Sequence, residues 1–503
     1  MAQPSSPALV VHVVNRLSLG IAPGDVQRVT QMGVDRYIAE QLAPEQLPLP
    51  SGLVRQLEGL GTLKLSQKEL IQQFHETQKE VRSNQAKGMP VQREFFQTLA
   101  AESGQARLMR SLHSPRQLEE VMVDFWFNHF NVFQGKGMTR ALVVNYEQEA
   151  IRPHAMGRFR DLLGATAHHP AMLFYLDNWL SAAPHTELRK KAPGGAKAKG
   201  LNENYAREVM ELHTLGVDGA YTQADVTQLA RMLTGWTIND QRGAGRSAFY
   251  FDAARHDRGT KQWLGHSVSH QGQAEGEHAL DVLAASPDTA RHISFKLAQY
   301  FVADVPPPAL VARLSQRFQA TQGDIRAVLQ TLFDSAEFRD PKVYGVKFKS
   351  PYRYVLSVVR AAGEPVGPVR PLLNALTQMG MPLYGCLTPD GYKNTQDAWL
   401  NPDAMTSRVD FAVSFASGQF PKGPSEVAFE EPVGKIKVNP DPQLQPQAVP
   451  VLNSKGRMKP VDGVRLQQTL GGSVSPRLKE ALQATDASLR SALVLGSPDF
   501  MHY

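Results

Sequence analysis

One cysteine, Cys386, stands in 503 residues. An intramolecular disulfide is excluded, and so is a zinc site built on cysteines. No apolar run reaches the roughly 18 residues of a membrane-spanning helix. The opening "MAQPSSPALVVHVVNRLSLG" lacks a charged stretch followed by an apolar one, so it does not read as an export signal. It reads as a cytosolic start or as a mature exported chain with a methionine added. HExxH, the phosphate-binding loop, GxSxG and GxGxxG are all missing. The di-iron pattern Glu-x-x-His is missing too, and the closest run is Glu208-x-x-Glu211-x-His213. Charge of one sign is scarce: 54 Lys and Arg face 48 Asp and Glu, a net of +6. The one dense basic run, "RKKAPGGAKAKG" (Arg189 to Gly200), has no aromatic to stack a base. It reads as a flexible loop, with contact to an anionic polymer as the lesser reading, and no nucleic-acid partner is expected.

What is present is a chain able to bury a core, with 42% hydrophobic and 20% charged residues. The dominant period is helical. "SPRQLEEVMVDFWFNHFNVF" predicts a helix with Ser114 as N-cap and Pro115 at the first turn, running to Phe133. Ala171 to Leu180 predicts another, after a break at His168-His169-Pro170. Phe249 to Phe251 and "KQWLG" predict one β-hairpin around the loop Ala253 to Thr260. The fold class expected is mainly α: a multi-helical globular protein with a small β-hairpin and a long irregular C-terminal excursion. The chain divides into four regions: an N-terminal helical region (1–113), a helical core (114–419), a Pro/Lys/Gly-rich loop (420–475) and a C-terminal helix (476–503).

Chemistry is sought first in "NENYAREVMELHTLGV", Asn202 to Val217. On an α-helix Glu203, Arg207 and Glu211 form an i, i+4 ladder of opposite charges, worth about 0.2–0.5 kcal/mol per pair. His213 falls on the apolar side as a core residue, and Gly216 ends the helix. Thr222 and Asp225 are spaced as a capping box, which makes Asp225 a cap and not a catalytic acid. Asp124, Asn128 and Asn131 form a polar stripe on an otherwise apolar helix. Buried polar groups need partners, so the stripe is expected to face the acidic surface of Glu203 to Glu211. His256 and Asp257 make an acid/base pair on the hairpin loop, with Lys261 beside them. Asp177 and Asn178 close a neighbouring helix. Tyr384, Tyr392 and Trp399 mark a loop that ends with Asn401 as N-cap and Pro402 behind it.

The runs "FWFNHFNVF", "RPHAMGRFRDLL", "HPAMLFYLDN", "NENYAREVMELHTLGVDGAYTQADVTQLARMLTGWT", "FDAARHDRGTKQWLG" and "GSPDF" together resemble the bacterial DUF-eighteen-hundred family, from about Val14 to Phe500. The resemblance implies a mainly helical, often exported protein, frequently encoded beside a sulfatase-like partner. It implies no particular activity. Residues matching the family motifs include Asn128, His129, Asn131, His154, Asp177, Asn178, Asn202, Glu203, Asn204, Arg207, Glu208, Glu211, Thr234, Trp236, His256, Asp257 and Lys261. The Lys/Gly-rich run before Asn202 and the front end depart from the family pattern.

The residues support three functional expectations. In the first, the chain is a hydrolase or lyase acting on a glycan or another extracellular polymer. Glu208 or Glu211 is then the general acid and His256 or Asp257 the base. Substrate would meet Asn128, Asn131, Asp177, Asn178, Asn202, Asn204, Arg207, Trp236 and Lys261. In the second, Glu208, Glu211, His129 and His256 hold a metal for a hydrolase or oxidase. In the third, the chain is a non-catalytic helical scaffold or binding partner of a neighbouring exported protein. The location expected is periplasmic or secreted, with the cytoplasm as the alternative.

Overall fold

Small polar residues followed by proline start many of the helices. Ser6, Ser286, Ser350, Asn401, Ser475 and Ser497 each cap a helix whose first turn carries proline, and each side-chain oxygen accepts a backbone N–H of that turn. Proline costs nothing there, because the first N–H groups of a helix have no partner inside it. The expected roles of Asn401, Pro402, Thr222 and Asp225 are all met.

The computed structural model describes residues 6–183, 200–241, 245–269, 271–363, 369–419, 459–471 and 474–503. Among them the fold is mainly α, with two small two-stranded antiparallel sheets. Buried apolar side chains from Val10 to Met501 join in one core. No helix of the described residues is long and apolar enough to cross a membrane. The helices Gln67–Ser83 and Gln85–His113 pack along each other. A Cβ on Gly88 would lie 2.4 Å from the backbone nitrogen of Val81, so only glycine allows that approach.

The expected hairpin is replaced by two separate strand pairs. Phe249–Phe251 pairs with Trp236–Ile238, and Lys261–Trp263 pairs with His266–Val268. The second pair turns on Leu264 and Gly265, both at positive φ (47° and 77°). That is the backbone of the two-residue turn that favours antiparallel closure, so "KQWLGHSV" folds on itself. The segment between the pairs still carries His256 and Asp257.

Three helix boundaries differ from expectation. The helix starts at Gln117, not Pro115, because the Ser114 hydroxyl accepts from Arg116 N and holds a turn there. It ends at His129, not Phe133. The Ala171–Leu180 prediction resolves into Pro170–Tyr175, a left-handed Asp177 (φ 60°) and a short 3-10 turn, Asn178–Leu180. Residues 189–199 of the basic run and 420–458 of the expected excursion lie outside the described residues. Within the remainder of that excursion, Gly463–Thr469 is a helix capped by Asp462.

Candidate functional site

The acidic segment is α-helical only over Asn204–Glu208 and continues as a π-helix over Val209–Thr214. A π-turn bonds i to i+5 and rotates the residues beyond it; such turns occur frequently at functional sites. The expected three-rung ladder is therefore reduced. Arg207 pairs with Glu203 at 3.4 Å, but no pair forms between Arg207 and Glu211. Glu203 is tied to the next helix through Gln223 (2.8 Å) and Thr227 (2.7 Å). The carboxylates of Glu208 and Glu211 have no hydrogen bond or ion pair among the described residues. Burial raises the Glu208 carboxyl above the ordinary range. Glu211 and Asp390 raise it further, while Arg207 opposes them. His213 is buried, as expected.

The asparagine stripe does not face this acidic surface. Asn128 donates to Tyr392 O (2.6 Å) and accepts from Tyr392 N (2.7 Å), imitating a backbone pair. Asn131 donates to Cys386 O and Thr388 O. Asp124 turns to Arg107, 2.8 Å away. The stripe thus holds the 386–392 loop, and that loop supplies the Asp390 charge acting on Glu208. Tyr175 donates its hydroxyl to Leu387 O at 2.9 Å on the same loop. Burial raises the Tyr175 phenol, helped by Cys386, Glu208 and Asp390. Lys136 bonds Tyr175 O and pairs with Asp177 at 2.9 Å. Asn202 and Asn204 donate to Asp177 O and Leu176 O, fixing that turn beside the acidic segment. Trp399 and Tyr384 are buried, and Tyr384 donates to Glu147.

His256, Asp257 and Lys261 belong to a different assembly. Arg231 grips Asp257 with two bonds, 2.9 and 3.1 Å. The Thr234 hydroxyl accepts from Asp257 N, and the Thr234 carbonyl accepts from His256 Nδ1 at 2.8 Å. Lys261 Nζ lies 2.6 Å from Glu275 and also bonds Asp257 O. His256 Nε2 lies 3.4 Å from Glu275. Lys261 and Glu275 are fully buried. Burial alone would raise Glu275, but His256 and Lys261 outweigh it and hold the carboxyl below the ordinary range. None of these groups is among the charges acting on Glu208. Asn178 and Trp236 are interior as well, and Asn178 donates to Leu233 O and Trp236 O.

Sequence reasoning missed Lys296. Its Nζ donates to His129 Nδ1 at 2.8 Å, which leaves His129 Nε2 to donate to His213 O at 3.1 Å. Burial lowers Lys296 to about 8, opposed by Asp390. Burial also lowers His213 to about 3 and His292 to about 4, so this group of rings is neutral. Asp390 is therefore a charged neighbour of both Lys296 and Glu208. The signal in the sequence was a lysine between Ile293 and Tyr300, inside a buried helical stripe. A second network, in which Arg107 and Arg152 both pair with Glu147 and Arg152 also pairs with Glu120, was missed too. Among the described residues no three of His, Cys, Asp or Glu are arranged to hold a metal ion.

A family model described as "Protein of unknown function (DUF1800)" matches residues 12–502. Neither the curated proteins nor the solved structures give a match.

Proposed function

That the chain belongs to the DUF1800 family fixes no reaction, and we propose one from its side chains: acid–base hydrolysis or elimination on a polymer, most simply a glycan. One observation carries this reading. Glu208 and Glu211 are partly buried and their carboxylates hold no bond among the described residues, whereas the buried Glu102, Glu120, Glu147, Asp257 and Glu275 are all bonded. Glu208, raised by burial and by its acidic neighbours, keeps a proton at a higher pH than an exposed glutamate. It donates that proton to the leaving oxygen. Glu211 is the second carboxylate and takes a proton from water or from the substrate. Lys296, on which the Asp390 charge also acts, offers a cation to charge developing on the substrate. Asp177, Asn202 and Asn204 position this wall. His256 and Asp257 hold the fold instead of serving as the base. The setting proposed is periplasmic or secreted, beside a sulfatase-like partner.

The test is a panel of polysaccharides and esters offered to wild type and to Glu208→Gln. An activity lost in a variant that unfolds no earlier supports the reading; full activity in the variant removes it. The alternative is a non-catalytic scaffold, and the size of the Glu275 network favours it, because such networks fix how helices meet. A specific protein partner captured equally by wild type and Glu208→Gln, with no turnover of any polymer, would select that alternative.

A further inference from the structure

Segment 347–349 runs antiparallel to 501–503. Lys347 N and Tyr503 O, Tyr503 N and Lys347 O, and Lys349 N and Met501 O are bonded, with Phe348 facing His502. Side chains two apart in such a pairing share a face, and two lysines occupy it here. Both are buried, Lys347 at 1% and Lys349 at 3% exposure. Lys347 is matched: its amine bonds Asp304 and the Asn394 carbonyl. The Lys349 amine has no hydrogen bond or ion pair among the described residues. Its amine lies over the Phe500 ring, 3.9 Å from the centroid. The charges that act on it most are two more cations, Arg353 and Arg408.

Lys349 also lines a cavity of about 50 Å³ between the first helix and the C-terminal helices. Val11, Leu470, Leu478 and Val494 give it apolar walls, and Asn15, Ser497, Asp499 and His502 give it polar ones. A lysine taken out of water, beside other cations and at the wall of a cavity, is the arrangement that makes an amine nucleophilic. We propose that Lys349 is a second chemically active site, whose amine condenses with a small aldehyde or ketone. The Nζ lone pair attacks the carbonyl carbon and the oxygen leaves as water. A C=N bond to Lys349 replaces the C=O bond, and nothing is oxidised or reduced. Burial and the two guanidinium groups hold the amine well below the ordinary lysine range, which keeps it unprotonated and ready to attack. This site is independent of Glu208, and its test does not depend on the polymer reading.

The full chain is treated with acetaldehyde and cyanoborohydride at pH 7, and modified lysines are mapped by peptide mass spectrometry. Each unit of lowered pKa raises the free amine about tenfold at neutral pH. Lys349 is therefore expected to be alkylated faster than every exposed lysine. A Lys349→Arg chain keeps the positive charge and should lose only that fast adduct. Alkylation of Lys349 no faster than that of surface lysines, or none at all, overturns the proposal.

Discussion

Glu208 and Glu275 are two glutamates held away from bulk water, and their surroundings drive them in opposite directions. Glu275 is met by Lys261, His256 and the Gln271 amide, and its carboxyl falls below the ordinary range. Glu208 is met by Glu211 and Asp390, and its carboxyl rises. The first environment stabilises a charge and closes around it. The second leaves an acid with unused bonding capacity at the edge of the 386–392 loop. A charged residue shut into a network mainly serves the fold, and one kept unmatched at a structural cost is where chemistry is worth testing.

The comparison is broken most severely from the closed side. Lys261→Met strands Glu275 and Asp257 without their amine. Breaking a buried pair by removing one partner costs roughly 3–5 kcal/mol, read as an equal fall in urea unfolding free energy. Asp225→Ala removes a capping box and the bond to Leu264 N, with an expected loss of about 1 kcal/mol by the same assay. The pH dependence sharpens the contrast through its sign. Glu275, depressed in the folded chain, adds stability above about pH 4.3, the ordinary carboxyl value. That contribution is lost as pH falls through its folded value. Glu208, raised in the folded chain, does the reverse: stability falls as pH rises from about 4.3 through the raised value. Unfolding curves of Glu275→Gln and Glu208→Gln against wild type should therefore diverge in opposite directions between acid and neutral pH. The smallest stability change expected is at Glu211, where Glu211→Gln relieves one like charge beside Glu208 and should leave the melting temperature at or slightly above wild type.

Local chemistry was the legible part of the sequence. The Thr222–Asp225 box, Asn401 with Pro402, the buried His213 and the helical class all follow from spacing, because neighbours within four residues decide them. Pairings between distant segments were not legible. Phe249–Phe251 takes a partner 13 residues upstream, and no local pattern distinguishes that from the expected partner downstream. The polar stripe at Asn128 and Asn131 does find the partners that its burial demands, but they are carbonyls of a loop some 255 residues away. The projection that joined Arg207 to Glu211 assumed an unbroken α-helix, and the π-turn from Val209 undoes it. Lys296, Asp390 and Glu275 carried no recognised motif. They join their clusters only through tertiary packing.

The measurement that bears most directly on this account is urea unfolding of Glu208→Gln and Glu275→Gln side by side at pH 7. The account predicts that Glu208→Gln is at least as stable as wild type, while Glu275→Gln loses several kcal/mol, about the cost of an opened buried pair. If the two variants lose stability together, Glu208 is one more member of a structural network, and the distinction between an open acid pair and a closed one is contradicted.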